Sequence, residues 1–167
     1  DCGVSAPGSV VAAGKGVLEV VGCDFRRLFY DLRPPALDDR GLATALRMQA
    51  SHYRSQNLVI TVDAPEHLPP LPAAVEVALY RVAAEAMTNV VRHAHSQSCL
   101  LRLAVAADRV DLEIIDDGRG LPTPTPAGVG LISMRERAAE LGGECLMTSA
   151  PEQGTRVHLW LPLPQTS

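Results

Sequence analysis

Aromatic side chains make up only 4% of the 167 residues. That scarcity removes the stacking platforms on which single-stranded nucleic acids are held. Positive charge is also in short supply. Lys and Arg number 15 against 19 Asp and Glu, leaving a net charge of −4, and the pI is near 5.7. No basic field is available to replace phosphate counterions, so a nucleic-acid partner is not expected. Long hydrophobic runs are missing too. The apolar stretches are strand-sized, well short of the ~18 residues of a membrane span, and no direct membrane contact is expected of this segment. The stretch from Asp1 to Gly22 starts with an acid and lacks the charged-then-apolar order of a signal peptide. The cysteines, Cys2, Cys23, Cys99 and Cys145, include no Cys-x-x-Cys pair. They read as small, partly buried apolar side chains in a reducing cytoplasm. The rest is ordinary globular composition, 47% hydrophobic and 20% charged with a mean hydropathy of +0.09. One domain with a short appendage is the expectation.

Along the chain, residues 1–24 hold scattered glycines and no firm period, an irregular lead-in. Phe25 to Leu32 reads as the end of an amphipathic helix stopped by Pro34 and Pro35. Asp38 or Asp39 is placed to cap a helix over Arg40 to Arg54. Asn57 to Val62 is short and β-branched, hence a strand. The strongest helical pattern runs from Ala73 to His93, where Val75, Leu79, Val82, Ala86 and Val90 make one apolar stripe. Strands follow at Ser98–Ala106 and Arg109–Asp116, joined at Ala107–Asp108 by hairpin spacing. Residues 117–130, rich in Gly and Pro, form a loop; Val129 to Leu141 is a helix stopped by Gly142 and Gly143. Glu144–Thr148 and Thr155–Leu161 complete a second strand pair. The simplest packing is α+β: a two-layer α/β sandwich, its mixed sheet of about five strands covered on one face by about three helices.

Four stretches carry chemistry. On the long helix, Glu85 and Asn89 stand one turn apart on one face, which Arg92 and His93 continue, with the apolar stripe opposite. An amide oxygen and a carboxylate suit Mg²⁺, directly or through water. Alone, this pair reads better as an ordinary solvated face with an i,i+4 contact. Next, Val110, Leu112, Ile114 and Asp116 share a register along one strand, so a carboxylate ends a buried row and needs a donor partner. An adenine amino group is a suitable one. Gly118 and Gly120 then allow a sharp turn and a close approach to a flat ring. Third, Gly128-Val-Gly130-Leu131 opens a helix, where free amides and the dipole favour phosphate. No Gly-Lys-Ser/Thr loop is present. Fourth, the Thr155 hydroxyl, after Gly154, is placed to reach a base through water.

In this order the four stretches resemble the ATP-binding catalytic domain of sensor histidine kinases, which has the Bergerat fold shared with gyrase B. The resemblance covers about residues 37–163. A finer likeness is to the nitrate/nitrite-sensor and desaturase-sensor type. It rests on Leu32-Arg-Pro-Pro-Ala-Leu-Asp-Asp-Arg-Gly-Leu42, Glu85-Ala-Met-Thr-Asn-Val-Val-Arg-His-Ala94 and Gly130-Leu-Ile-Ser-Met-Arg-Glu-Arg-Ala138 with Leu141-Gly-Gly143.

The resemblance implies ATP and Mg²⁺ as ligands, with Asn89 as Mg²⁺ ligand beside Glu85, and Asp116 as the adenine-reading carboxylate. It sets Arg92 and His93 near phosphates, and Gly128 and Gly130 at the border of a nucleotide lid. Glu85 takes the place of a water-activating base in ATPase relatives; in a kinase it would position the attacking imidazole. The family's acceptor histidine has no counterpart among His52, His67, His93, His95 and His158. The expectation is therefore a lead-in and helix remnant over residues 1–36 and a cytoplasmic ATP-binding catalytic domain over 37–167. Its partners would be a dimerisation domain bearing the acceptor histidine and a response regulator. Two alternatives are an anti-sigma-factor-type serine kinase, which lacks the Leu-Arg-Pro-Pro lead-in, and a nucleotide-binding interaction module without catalysis.

Overall fold

A computed structural model describes residues 33–53, 58–121 and 128–164. The helix end expected at 25–32 and residues 122–127 of the loop expected over 117–130 lie outside the described residues. From Pro35 onward the chain is one compact unit. In order it contains α1 (Pro35–His52), β1 (Val59–Asp63), α2 (Ala73–Asn89), a π-helical turn (Val90–Ala94), β2 (Ser98–Val105), β3 (Arg109–Asp116), α3 (Val129–Glu140), β4 (Glu144–Ser149) and β5 (Thr155–Pro162).

The strands form one sheet in the order β1-β2-β3-β5-β4, with β1 parallel to β2 and every other pair antiparallel. The helices pack on the same side, α1 on β1, α2 on β3 and β5, α3 on β4 and β5. This is the expected two-layer sandwich. Period-two burial along β3 leaves Val110, Leu112, Ile114 and Asp116 under the helices. Facing them, the stripe Val75, Leu79, Val82, Ala86 and Val90 is buried throughout. Each fully covered Leu or Val there contributes about 1.5–3 kcal/mol from apolar burial. The other sheet face carries exposed ion pairs, Arg102 with Asp63 and Glu113, and Arg156 with Glu113. Such pairs add little stability and mainly keep that face hydrated.

Two helix ends differ from the sequence expectation. Helix α1 starts at Pro35 rather than Arg40. A proline at the first helical position has no amide to leave unpaired, so it opens this helix. The helix then breaks at Gly41, whose φ of 71° and ψ of 165° are not helical. Helix α2 stops at Asn89, and Val90–Ala94 continue as a wider π turn ended by His95 in the left-handed region, φ 52°.

The passage from that turn into β2 is held by Asp117. Its Oδ1 accepts the backbone N–H groups of Gln97 (3.1 Å) and Ser98 (3.0 Å) and the Ser96 hydroxyl, while Oδ2 accepts the Ser98 hydroxyl at 2.8 Å. These donors, led by the Ser96 hydroxyl, hold the Asp117 carboxyl well below the usual range. A depressed native pKa adds stability above the unfolded value of ~3.9, lost as pH falls toward the native value. Asp117→Asn is expected to lower stability at pH 7 by about 1–2 kcal/mol, a value reduced for solvent screening. Denaturant melts should show that gap closing progressively below about pH 4; a gap independent of pH would rule out the ionised clamp.

Candidate functional site

The site begins with the buried carboxylate that ends β3. Asp116 is 5% exposed and is the one fully buried charged side chain among the described residues. Its Oδ1 accepts the Gly118 amide at 2.9 Å, and the Thr155 amide also donates to the carboxylate. Burial pushes the Asp116 carboxyl above the ordinary range, the two amides oppose that shift, and the charge of Asp117 adds to it.

Backbone approaches that only glycine permits assemble the loops around this group. A methyl group at Gly118 would strike the carbonyl of Ala94, and the Arg119 amide donates to that same carbonyl at 2.9 Å. The end of α2 is thereby tied to the loop after β3. Gly120 (φ 70°) lies against the carbonyl of Ala150 in the β4–β5 turn, and Gly154 (φ 73°) against the carbonyl of Asp116. Both glycines after β3 were expected to approach a flat ligand ring. Their tight approaches in this structure are to protein backbone, Gly118 to Ala94 and Gly120 to Ala150, which ties the loops to their neighbours.

Above Asp116 opens a cleft of about 200 Å³. Ala86, Val90, Ala94, Ile114, Leu121, Leu131, Met147 and Val157 give it apolar walls; Asn89, His93, Asp116 and Thr155 are its polar groups. Gly120, Gly128 and Gly130 complete the lining. The shape and chemistry are those of a slot for a flat apolar heterocycle with an N–H donor at its inner end.

Of the residues picked out from the sequence, the cleft brings together Asn89, His93, Asp116, Gly120, Gly128, Gly130, Leu131 and Thr155. Three stand outside the lining. Gly118 is beneath it, on Ala94. Arg92 is exposed to solvent; the π turn widens the helix there and changes the angular step that had aligned Arg92 with Glu85. Glu85 faces α3, and a methyl group at Gly130 would collide with its Oε1. Nor is the polar face opposite the apolar stripe, because Asn89 lines the cleft together with Ala86 and Val90.

The residue missed in the sequence is Ser149. Its hydroxyl accepts the Leu121 amide (2.8 Å), donates to the Gly154 carbonyl (2.9 Å) and lies 3.1 Å from the Thr155 hydroxyl. Nothing local marks it, since its partners come from two other segments. Val157 was more accessible to reasoning, because it follows Thr155 on the same face of β5.

Among the described residues no three His, Cys, Asp or Glu side chains converge as a metal cage. Asn89 in the lining and Glu85 against Gly130 each carry an oxygen donor. That suits Mg²⁺, which keeps waters and is commonly completed by substrate phosphates. Cys99 and Cys145 are buried and free, as expected. Burial pushes their thiols up to about 12 and about 11, which makes them poor nucleophiles at neutral pH. Cys2 and Cys23 lie outside the described residues. Among the described residues no helix is long and apolar enough to cross a membrane.

Comparison with known proteins gives this geometry its family. The sensor histidine kinase MctS of Rhizobium johnstonii is 36% identical over 145 residues, covering 83% of this chain and 31% of that protein. The signal transduction histidine-protein kinase/phosphatase UhpB of Salmonella typhimurium is 38% identical over 140 residues, 82% of this chain and 28% of that protein. The chain thus spans about a third of the length of these relatives. Among solved structures, the Erythrobacter litoralis EL346 blue-light activated histidine kinase aligns with a TM-score of 0.62 at 25% identity, over 75% of this chain and 42% of that one. Its histidine kinase domain aligns with a TM-score of 0.63 at 24% identity, over 73% and 61%, which supports the fold. Residues 74–165, from the start of α2 through the last strand, match the family described as histidine kinase-, DNA gyrase B-, and HSP90-like ATPase, and the chain belongs to that family.

Proposed function

We propose that this chain is the ATP-binding catalytic module of a sensor histidine kinase. It would donate the γ-phosphoryl group of ATP to a histidine on a dimerisation domain, for relay to the aspartate of a response regulator. The observation that carries the reading is Asp116, a buried carboxylate at the inner end of an apolar slot. A neutral amino group of adenine supplies the donor such a carboxylate lacks. The similarity to proteins named sensor histidine kinases supports the same reading.

Phosphoryl transfer asks the protein chiefly for positioning and charge neutralisation. With the base at Asp116, the phosphates extend past Asn89 and His93 toward the opening of α3 at Gly128 and Gly130. The helix N-terminus there favours anions. Asn89 and Glu85 would hold Mg²⁺, whose contribution is to neutralise the phosphate oxygens. Glu85 would also orient the incoming imidazole, and Arg92 at the open rim would face the phosphates. Thr155 hydrogen-bonds the base, and Leu131, Ile114 and Met147 exclude water from the ring. Residues 1–36 would lead in from the dimerisation helices, and the module would work in the cytoplasm, where ATP is found.

A thermal melt tests binding. Mg-ATP at ~100 times its Kd should add about 2.7 kcal/mol of stability. Asp116→Asn should weaken ATP binding about 10- to 100-fold, the loss of a hydrogen bond to a charged acceptor. Equal affinity in the variant and the parent would refute the adenine assignment. Because burial raises the Asp116 pKa, affinity should decline as pH falls into the acid range, where that carboxyl takes up its proton. Asn89→Ala should remove the dependence of binding on Mg²⁺, read by titrations with and without the metal. To test the transfer step, the chain is incubated with ATP and a helical hairpin bearing an acceptor histidine. An acid-labile phosphohistidine is expected; acid-stable phosphoserine on an antagonist protein would show the serine-kinase reading instead.

A further inference from the structure

Ser149 lies behind the cleft, outside its lining, yet the count of its protons fixes what the cleft presents to a ligand. A serine hydroxyl has one proton to donate and two lone pairs to accept with. The buried Gly154 carbonyl takes that proton at 2.9 Å. The Leu121 amide fills one lone pair at 2.8 Å. The remaining contact, 3.1 Å to the Thr155 hydroxyl, must then be donated by Thr155. With its proton directed backward to Ser149, Thr155 meets the cleft as an acceptor only. Beside it the Asp116 carboxylate, already accepting the Gly118 and Thr155 amides, also presents only lone pairs.

We propose that Ser149 is a specificity-determining positioning residue: by accepting the Thr155 proton it makes the inner end of the cleft an all-acceptor surface, selecting purine nucleotides with a 6-amino group over those with a 6-oxo group. This rests on the assignment of the base to Asp116. A 6-amino group brings N–H donors to the carboxylate and the hydroxyl. A 6-oxo group sets a third acceptor against them, and a site whose polar groups are left unpaired rejects the analogue. Ser149 makes no contact with the nucleotide; it acts through the direction of one hydrogen. Removing it frees Thr155 to turn its O–H toward the ligand, where it can serve either purine.

The test is the ratio of ATP to ITP affinity, measured on the 167-residue chain with Mg²⁺ present; ITP has a 6-oxo group and a hydrogen on N1 where ATP has a 6-amino group and a bare N1. In Ser149→Ala the preference for ATP should fall about tenfold, the worth of one hydrogen bond, with ATP affinity itself nearly unchanged. Thr155→Val should lower the ratio comparably, and the double variant should fall no further than Thr155→Val alone. Ser149→Thr, which keeps the hydroxyl, should retain the preference. An unchanged ratio in Ser149→Ala, or equal losses for ATP and ITP, would overturn the proposal by reducing Ser149 to a structural tie. Should Ser149→Ala fail to fold, an unchanged ratio in Thr155→Val would overturn it as well. Asp116→Asn separates the underlying assignment. If that variant binds both nucleotides like the parent, the base does not sit at Asp116; if it loses ATP while Ser149→Ala keeps the ratio, only the role of Ser149 is refuted.

Discussion

Burying one carboxylate under an apolar slot sets the terms for everything around it. Taking an ionised group from water is expensive unless donors replace the lost solvent. Asp116 has two, the amides of Gly118 and Thr155. Both come from backbone, and both are in place because neighbouring glycines let chain segments touch. Gly154 brings the start of β5 against the Asp116 carbonyl, and Gly118 brings the loop after β3 against Ala94. A side chain at either would push its own segment away and weaken the amide that segment brings to the carboxylate. The result is a negative group that is tolerated but not neutralised.

Two adjacent aspartates meet opposite fates for the same reason. Asp116 points under the helices and its pKa is raised by burial, while Asp117 points outward and its pKa is lowered by the donors of residues 96–98. Alternation along a strand turns two identical side chains to opposite faces. One serves the cleft and the other holds the connection from the π turn to β2. That connection also carries Ala94, whose carbonyl receives the Arg119 amide. The wall and the floor of the cleft are therefore fastened by the same short segment.

The layered fold was legible in the chain because its signals are local and strong. The stripe on α2 and the alternation on β3 each repeat over several turns or residue pairs, and both are buried as read. The helix boundaries were less legible. Pro35 was read as a stop and turned out to begin α1, since the same missing amide that ends one helix suits the first position of another. The π turn left no local mark, so Arg92 could not be separated from His93 by spacing alone.

Patterning within single segments specified the strands, the long helix and the buried position of Asp116, because period and side-chain type act over a few neighbouring residues. The grouping of Asn89, Asp116, Gly130 and Thr155 around one cleft is a different matter. It depends on the sheet order that sets β5 between β3 and β4, and on contacts between loops far apart in the chain. Ser149 shows the limit most plainly. Its hydroxyl reaches Leu121, Gly154 and Thr155, and a hydrogen bond to a residue 28 positions away has no counterpart in local sequence. Its importance comes from where the fold places its three neighbours.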